Sequence, residues 1–191
     1  SLFLHKMKLV VFKIGLFFVL AFLFLSVCNV NEKAGDSISL QDYNNCPPEG
    51  NAKSVNIAKL NKLKNRISFP KQNDFDTIIT LKKLLQPGND RDRWNTFRTA
   101  KITGYVYEVK PGGVETCNCK EKEIEGRDTH IEILLDPMND TKIQRVIVEV
   151  TPRIRQLMKA KGENWSTKVL RDKLLGRWVA FEGWLLFDFK V

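Results

Sequence analysis

The stretch "FRTAKITGYVYEVKPGG", residues 97–113, decides the fold because it reads as one long strand. Side chains alternate between the two faces of a strand with a period of two residues. One face would carry Ala100, Ile102, Gly104 and Val106, and the other Thr99, Lys101, Thr103 and Tyr105. The two glycines at its end are typical of a tight turn. The stretch therefore predicts a half-buried strand that ends in a turn.

The residues that follow predict a mainly β domain with helices. The segments are strands 128–137 and 145–152, helices 153–161 and 166–176, and a strand 177–189. Ser166 has the residue type and position of a helix N-cap, and Gly176 those of a terminator. Gly183 interrupts the last strand, where we expect a bend or bulge.

This order of elements resembles an OB-fold, a five-stranded barrel with a helix between its third and fourth strands. The resemblance covers residues 97–187, and "LLGRWVAFEGWLLFD", residues 174–188, is similar to the helix-to-fourth-strand segment of OB domains. Two residues follow Phe189, too few for another strand. We therefore expect an α+β, OB-fold-like small barrel that is incomplete, with four strands plus a helix. It would be open, or closed by a first strand that pairs twice, or cut short.

The stretches "CNC", "DTHIEI" and "VIVEVTPR", in this order, are also similar to a group of exported bacterial proteins of uncharacterised function. That resemblance carries no site residue or activity. It agrees with the amino-terminal sequence, which predicts export on its own evidence.

Residues 1–28 read as a signal or lipoprotein-type export segment. An apolar run of residues 14–27, "IGLFFVLAFLFLSV", follows basic residues and is shorter than the ~20 residues of a membrane-spanning helix. "LSVC" resembles a bacterial lipoprotein signal, in which Cys28 would be lipidated; an uncleaved anchor and simple cleavage stay open. We expect an exported protein that is held on the extracytoplasmic side of a membrane, in the periplasm or at the cell surface.

The rest of the chain divides into three regions. Residues 29–52 are a polar tether, residues 53–96 a helical appendage, and residues 97–191 the OB-fold-like domain. Within the appendage we expect one helix over residues 54–66 and a second from Asp74 to Pro87.

Charge and composition restrict the partners. The net charge is +9, and the chain without its export segment is still basic. A basic surface favours anionic partners such as nucleic acid, lipid head groups or acidic glycans. The chain has no phosphate-binding glycine loop, no G-x-S-x-G and no H-E-x-x-H, so these common nucleotide-binding, hydrolase and zincin signatures are absent.

"DTHIE" is the strongest candidate site. Asp128, His130 and Glu132 would share one strand face, and Glu149 would join them if the next strand pairs alongside. Such a cluster suits a divalent metal, or general acid and base roles for His130, Glu132 and Glu149. The alternative is an ordinary solvated strand face, which also has this alternation. His130 is the one histidine beyond residue 28, which excludes two-histidine metal sites there.

Three interpretations of the cysteines stay open. Cys117 and Cys119 could ligate zinc together with Asp128 and His130, although C-x-C is tighter than the usual ligand spacing. In an exported protein a disulfide competes, and Cys46 could pair with either of the two and leave one thiol free. All three could also remain reduced.

A second candidate site is aromatic and basic. The residues that could stack against and neutralise an oligomer along the barrel are Lys101, Tyr105, Tyr107, Arg153, Arg155, Trp178 and Trp184. Such residues are also common in barrel packing.

Three functional hypotheses follow. The first is a membrane-tethered binding module for an anionic or oligomeric ligand, either nucleic acid or glycan. The second is a metal-dependent phosphodiesterase or nuclease that uses Asp128, His130, Glu132 and Glu149. The third is a structural lipoprotein domain without a ligand.

Overall fold

The computed structural model describes residues 7–16, 43–138 and 144–187. Its strands are β1 Met7–Leu16, β2 Thr99–Pro111, β3 Thr129–Leu134, β4 Arg145–Val150 and β5 Trp178–Phe187. Its α-helices are α1 Val55–Lys64, α2 Leu81–Leu84, α3 Asp90–Arg93, α4 Pro152–Ala160 and α5 Thr167–Leu174.

The five strands form a closed barrel in the order β1-β4-β3-β2-β5. Strand β1 pairs parallel to β4, and the other neighbours are antiparallel. The core includes one large apolar side chain from each strand, all at most 2% exposed: Leu9, Ile102, Ile131, Val148 and Phe181. The predicted fold class, a small barrel with helices, is confirmed.

The expectation of an incomplete barrel is wrong. The missing strand comes from the amino end: β1 lies between β4 and β5 and pairs with both. Its residues were assigned to the export segment because basic and apolar side chains suit a leader as well as a strand. Strand pairing between distant parts of the chain decides which of the two structures such residues adopt.

The alternation predicted for β2 is confirmed from Ala100 onward, whereas Thr99, predicted on the polar face, is 0% exposed. Ala100, Ile102 and Val106 are buried, whereas Lys101 and Thr103 are exposed. The irregularities in pairing lie in β2, between Val106 and Glu108, and in β1, between Val11 and Lys13. Gly183 pairs in regular register with β2, but the shift in the β1–β5 ladder lies beside it: Val11 pairs with Gly183 and Lys13 with Glu182, so the extra residue of the predicted irregularity is on β1.

The predicted helices agree in part. Ser54 caps α1 through its hydroxyl, and Ser166 caps α5 in the same way. Helix α4 begins at Pro152 behind a Thr151 cap, a position where proline costs no hydrogen bond. The expected helix from Asp74 to Pro87 is wrong beyond a single turn, because Thr80 caps the four-residue α2 and extended backbone precedes it.

Several predictions lie outside the described residues. Cys28, residues 17–27 of the predicted export segment and residues 29–42 of the tether belong to this group. In the part of the chain that is described, no helix has the length and apolar character needed to cross a membrane.

Candidate metal centre

Antiparallel pairing of β3 and β4 brings a histidine and a glutamate together. His130 lies directly opposite Glu149, and His130 Nε2 is 3.0 Å from Glu149 Oε1. Cβ atoms of directly opposite residues are about 5 Å apart in such a ladder. The predicted convergence of these two side chains is therefore found.

The loop between β2 and β3 adds carboxylates from both of its ends. Asp128 directly precedes β3, and Asn118 Nδ2 donates to its Oδ1 at 3.0 Å. Glu115 places its Oε1 4.0 Å from His130 Nε2. Glu115, Asp128, His130 and Glu149 each offer a ligand atom within 4.8 Å of the others, and we call these four residues the cluster.

The cluster is enclosed on the barrel side and reaches the surface at one edge. The side chains of Glu149 and Asp128 are 0% and 1% exposed, whereas those of His130 and Glu115 are 14% and 31% exposed. A Cβ at Gly112 would lie 2.7 Å from His130 Nε2, so a glycine is needed beside the imidazole. The partly exposed His130 and Glu115 mark the accessible edge.

Lys64, at the end of α1, neutralises part of the cluster. Its Nζ lies 2.7 Å from Asp128 Oδ2 and 3.0 Å from Glu149 Oε2, and it also pairs with Glu115. Burial acts to lower the pKa of Lys64, but Asp128 and Glu149 outweigh it and raise that pKa well above the ordinary value. Lys64 is therefore a firmly protonated cation inside the protein.

A second ammonium group comes from β1. Lys8 Nζ donates to Glu149 Oε1 at 2.6 Å, and both side chains are buried. Burial acts to raise the pKa of Glu149, yet Lys64, His130 and Lys8 together hold it well below its ordinary value. Three carboxylates thus face two ammonium groups and one imidazole.

Three atoms that point into the cluster accept no hydrogen bond: Asp128 Oδ2, His130 Nε2 and Glu149 Oε2. The two carboxylate oxygens are ion-paired to Lys64, without hydrogen-bond geometry. Buried polar atoms are hydrogen-bonded in the great majority of cases. These three atoms lack hydrogen bonds, and their contacts are ionic: Lys64 for the two oxygens and Glu149 for His130 Nε2.

Glu132, which was predicted to join the site, faces other partners. Lys110 Nζ lies 2.6 Å from its Oε1, and Arg145 Nη1 donates to its Oε2 at 2.7 Å. Burial acts to raise the pKa of Glu132, and Lys110 and Arg145 more than offset it, so that the pKa is lowered. Both oxygens of Glu132 are used outside the cluster, and its predicted catalytic and metal role is not supported by this arrangement.

Of the three cysteines in the described part of the chain, Cys46 and Cys119 form a disulfide and Cys117 is a free thiol. This is one of the pairings anticipated from the sequence. The prediction of Cys119 as a metal ligand is therefore corrected, because its sulfur is bonded to Cys46. Cys117 borders the cluster, since its Sγ donates to Glu115 Oε2 at 3.4 Å, and burial followed by the nearby Asp128 raises the pKa of its thiol far above the ordinary value. A thiol of this kind is a poor metal ligand, since metals bind the thiolate.

The aromatic and basic candidates do not form one surface. Trp184 is buried and donates to Ser68 O. Tyr105 meets Trp178 edge to face, with ring centroids 6.0 Å apart. Trp178 is exposed on β5.

The two predicted ligand-binding arginines are buried and hydrogen-bonded within the protein. Arg153 is 2% exposed and donates to the carbonyls of Cys46 and Pro47. Arg155 is 7% exposed; it donates to Thr129 and to two loop carbonyls, and it lines a cavity of about 580 Å³.

The other predicted residues on β2 are at the surface. Lys101 is exposed and pairs with Glu182 at 3.1 Å. Tyr107 is also exposed, with the Arg145 guanidinium 3.9 Å from its ring centroid. Of the predicted aromatic and basic set, Lys101, Tyr105, Tyr107 and Trp178 have surface available for a ligand.

Three members of the site were missed by sequence reasoning: Lys8, Lys64 and Glu115. Glu115 stands two residues before Cys117, so its position beside the C-x-C motif was a weak indication that it belongs to the site. The two lysines had none, because a lysine in a leader or on a helix usually faces solvent.

No protein family, no curated protein and no solved structure matches this chain. The function is therefore inferred from the geometry of the cluster.

Proposed function

We propose that the protein binds a divalent transition-metal cation at the cluster and uses that ion to hold an anionic group at the surface of the barrel. One observation carries the proposal: Glu115, Asp128, His130 and Glu149 direct donor atoms to within 4.8 Å of one another.

The spacing of the donors suits a coordination shell. Two atoms that each lie about 2.1 Å from an ion are about 3.0 Å apart as neighbours in an octahedron and about 4.2 Å apart when opposite. His130 Nε2 lies 3.0 Å from Glu149 Oε1 and 4.0 Å from Glu115 Oε1. These two distances support an ion beside the imidazole.

The donor types favour a borderline metal. Carboxylate oxygens suit Mn²⁺, and an imidazole nitrogen also suits Zn²⁺. The three carboxylates outnumber the two ammonium groups by one, which favours a further cation at the site. We take Mn²⁺ and Zn²⁺ as the probes.

The ion would serve as the contact for an anionic ligand on an exported, membrane-tethered domain. His130 and Glu115 give the site its accessible edge, and the basic chain attracts anions. The Cys46–Cys119 disulfide supports export, since such bonds persist in oxidising compartments. Nucleic acid and acidic glycans are the ligand classes that fit this chemistry.

The test is Mn²⁺ and Zn²⁺ binding by the full chain, measured by calorimetry after removal of metal with chelator. We expect one ion per chain and a loss of affinity of at least about tenfold in Glu149→Gln and in His130→Ala, because each removes a ligand. Binding that survives both substitutions would overturn the proposal.

Glu132→Gln is the matched control. Glu132 is a carboxylate on the strand of His130, but it pairs with Lys110 and Arg145. We expect Glu132→Gln to bind the ion as the unaltered chain does. Equal stability of the unaltered chain with and without metal would favour the structural hypothesis.

Hydrolysis of a phosphodiester is the second candidate, and the partial exposure of His130 and Glu115 favours it. An ion at this edge would activate a water molecule as a nucleophile. Cleavage of bis(p-nitrophenyl) phosphate that requires Mn²⁺ and is lost in Glu149→Gln would support an enzyme. Metal binding without cleavage would favour the binding module over the enzyme.

A further inference from the structure

Strand β1 brings a cation of its own into the cluster. Lys8 lies beside Ile147 of β4 in the parallel pairing, and its Nζ reaches Glu149 Oε1 at 2.6 Å. The Lys8 side chain is only 7% exposed, so its ammonium group is held away from bulk water. Such a group is retained by its ion pair, because a buried charge without a partner is costly.

Lys8 and His130 share the same oxygen. Glu149 Oε1 accepts from Lys8 Nζ and lies 3.0 Å from His130 Nε2. This oxygen and this nitrogen are the two atoms whose separation fits neighbouring positions around an ion. An ion that bound both would place its positive charge beside the Lys8 ammonium group.

We propose that Lys8 is an internal competitor of the metal ion, so that β1 in its barrel position holds the cluster in a state of low metal affinity. The inference rests on the proposed function, because it names a control of the same metal site. The ammonium group donates to Glu149 Oε1 and, as a cation, opposes the binding of a divalent ion at the same oxygen. A divalent ion binds tightly only after Lys8 withdraws from this oxygen.

Lys64 has a different place in the cluster. It pairs with the other oxygen of Glu149, Oε2, and with Asp128 and Glu115. It belongs to α1, which a disulfide-linked loop holds on the barrel. Of Lys8 and Lys64, it is Lys8 whose contact with the cluster depends on the position of β1.

Because Lys8 belongs to β1, metal affinity at the cluster depends on whether the amino-terminal segment lies in the barrel. The residues that form β1 lie within the predicted export segment, residues 1–28, so export and barrel closure compete for them. When β1 leaves the barrel, Lys8 leaves with it and Glu149 loses one of its cations. We therefore expect metal loading to follow release of this strand.

The experiment compares the Mn²⁺ affinity of full-length chains by calorimetry. Lys8→Met keeps the apolar stem and removes the charge, and we expect its dissociation constant to fall about tenfold or more. Lys8→Arg keeps a positive charge and should bind no more tightly than the unaltered chain. An unchanged or weaker affinity in a folded Lys8→Met chain would overturn the proposal.

Lys168→Met is the charge-matched control. Lys168 is 81% exposed on α5 and pairs with Asp172 one helical turn away. Its substitution removes one positive charge from the chain without touching the cluster. If Lys168→Met tightened Mn²⁺ binding as much as Lys8→Met, the effect would come from net charge and the proposal would be wrong.

A second measurement uses the unaltered chain and does not depend on how a variant folds. Competition is reciprocal, so bound Mn²⁺ must displace Lys8 as much as Lys8 weakens Mn²⁺. We expect acetylation of Lys8 by acetic anhydride, read by mass spectrometry, to rise several-fold with saturating Mn²⁺. No change at Lys8 while the metal is bound would contradict the inference.

The two proposals fail in different ways. If Mn²⁺ binds to none of these chains, or if Glu149→Gln binds it as well as the unaltered chain, the metal site itself is wrong. If Mn²⁺ binding requires Glu149 but is indifferent to Lys8, only the competition is wrong.

Discussion

Lys64 shows how one residue can organise a buried polar site. It contacts carboxylates from the β2–β3 loop, from the start of β3 and from β4. Each of these groups would cost several kcal/mol to bury as an isolated charge. Lys64 therefore joins α1 to the barrel through electrostatics, in addition to the apolar packing of Leu60 and Leu63 against the core.

Replacement of this lysine should destabilise the fold. We expect Lys64→Met to lower the free energy of unfolding by about 3–5 kcal/mol, because three carboxylates lose a buried cation. Urea denaturation followed by tryptophan fluorescence measures the change. Lys62→Met is the control in the same helix, since Lys62 is exposed and pairs with Glu49 at the surface; a similar loss in both variants would contradict the prediction.

The pKa values of the same pair predict a pH dependence. Glu149 has a folded-state pKa well below 4.5, so the stability that it contributes is present above pH 4.5 and is lost as the pH falls through the folded-state pKa. Lys64 has a folded-state pKa above 10.5, so its contribution is present below pH 10.5 and is lost as the pH rises through the folded-state pKa. Urea midpoints at about pH 3 and about pH 6 should differ, with the lower midpoint in acid. A chain more stable in acid would refute this assignment.

At the scale of the elements, two loops rather than a strand edge enclose the cluster. The segment around residues 46–51 lies against the 3-10 turn Thr116–Asn118, and Asn51 N donates to Thr116 O. Gly50 makes this approach with φ of 60°, and a Cβ there would lie 1.9 Å from Thr116 O. The tether region predicted from composition therefore includes a structural contact at its carboxyl end.

A methyl group at this glycine should separate the loops. We expect Gly50→Ala to cost about 2 kcal/mol or more, since it adds both an unfavourable φ and a collision with backbone. Gly162→Ala is the control, because Gly162 also has positive φ but open space around its Cβ position. Thermal unfolding of both variants measures the difference, and equal shifts would show that the collision is relieved without cost.

At the scale of the molecule, the chain is closed by contacts between its distant parts. Strand β1 completes the barrel from one end of the sequence, and the Cys46–Cys119 disulfide spans 73 residues. Both features lie beside the cluster: β1 through Lys8, and the disulfide through the loop that carries Glu115. The stability of the whole fold and the geometry of the site are therefore linked.

Loss of the disulfide should affect both. We expect the double substitution Cys46→Ser and Cys119→Ser to lower the free energy of unfolding by about 2–4 kcal/mol, because the unfolded chain gains freedom. It should also weaken Mn²⁺ binding, since Glu115 is no longer held by the tied loop. Denaturation and calorimetry on the same variant test the two effects, and unchanged metal affinity would show that the loop is ordered without the bond.

Local patterns were sufficient for strands β2 to β5, for the caps and for part of the site. The alternation of residues 97–113 identified β2 and its buried face, and the period of two placed His130 with Glu149 once β3 and β4 were adjacent. The serine caps were also readable, because capping depends on a few consecutive residues. These features depend on neighbours in the sequence or in one hairpin.

Long-range contacts settled the remainder. Four features depend on contacts between separate elements. Strand β1 closes the barrel, and Lys8 and Lys64 pair with carboxylates of the cluster. Cys119 rather than Cys117 bonds to Cys46, and Glu132 pairs with Lys110 and Arg145 instead of joining the cluster. A lysine in a basic, apolar leader-like stretch has the same local signature whether it faces solvent or a buried glutamate. Only the packing of α1 and β1 against the barrel distinguishes these cases, because the ion pairs that stabilise a buried charge come from parts of the chain that the local pattern does not include.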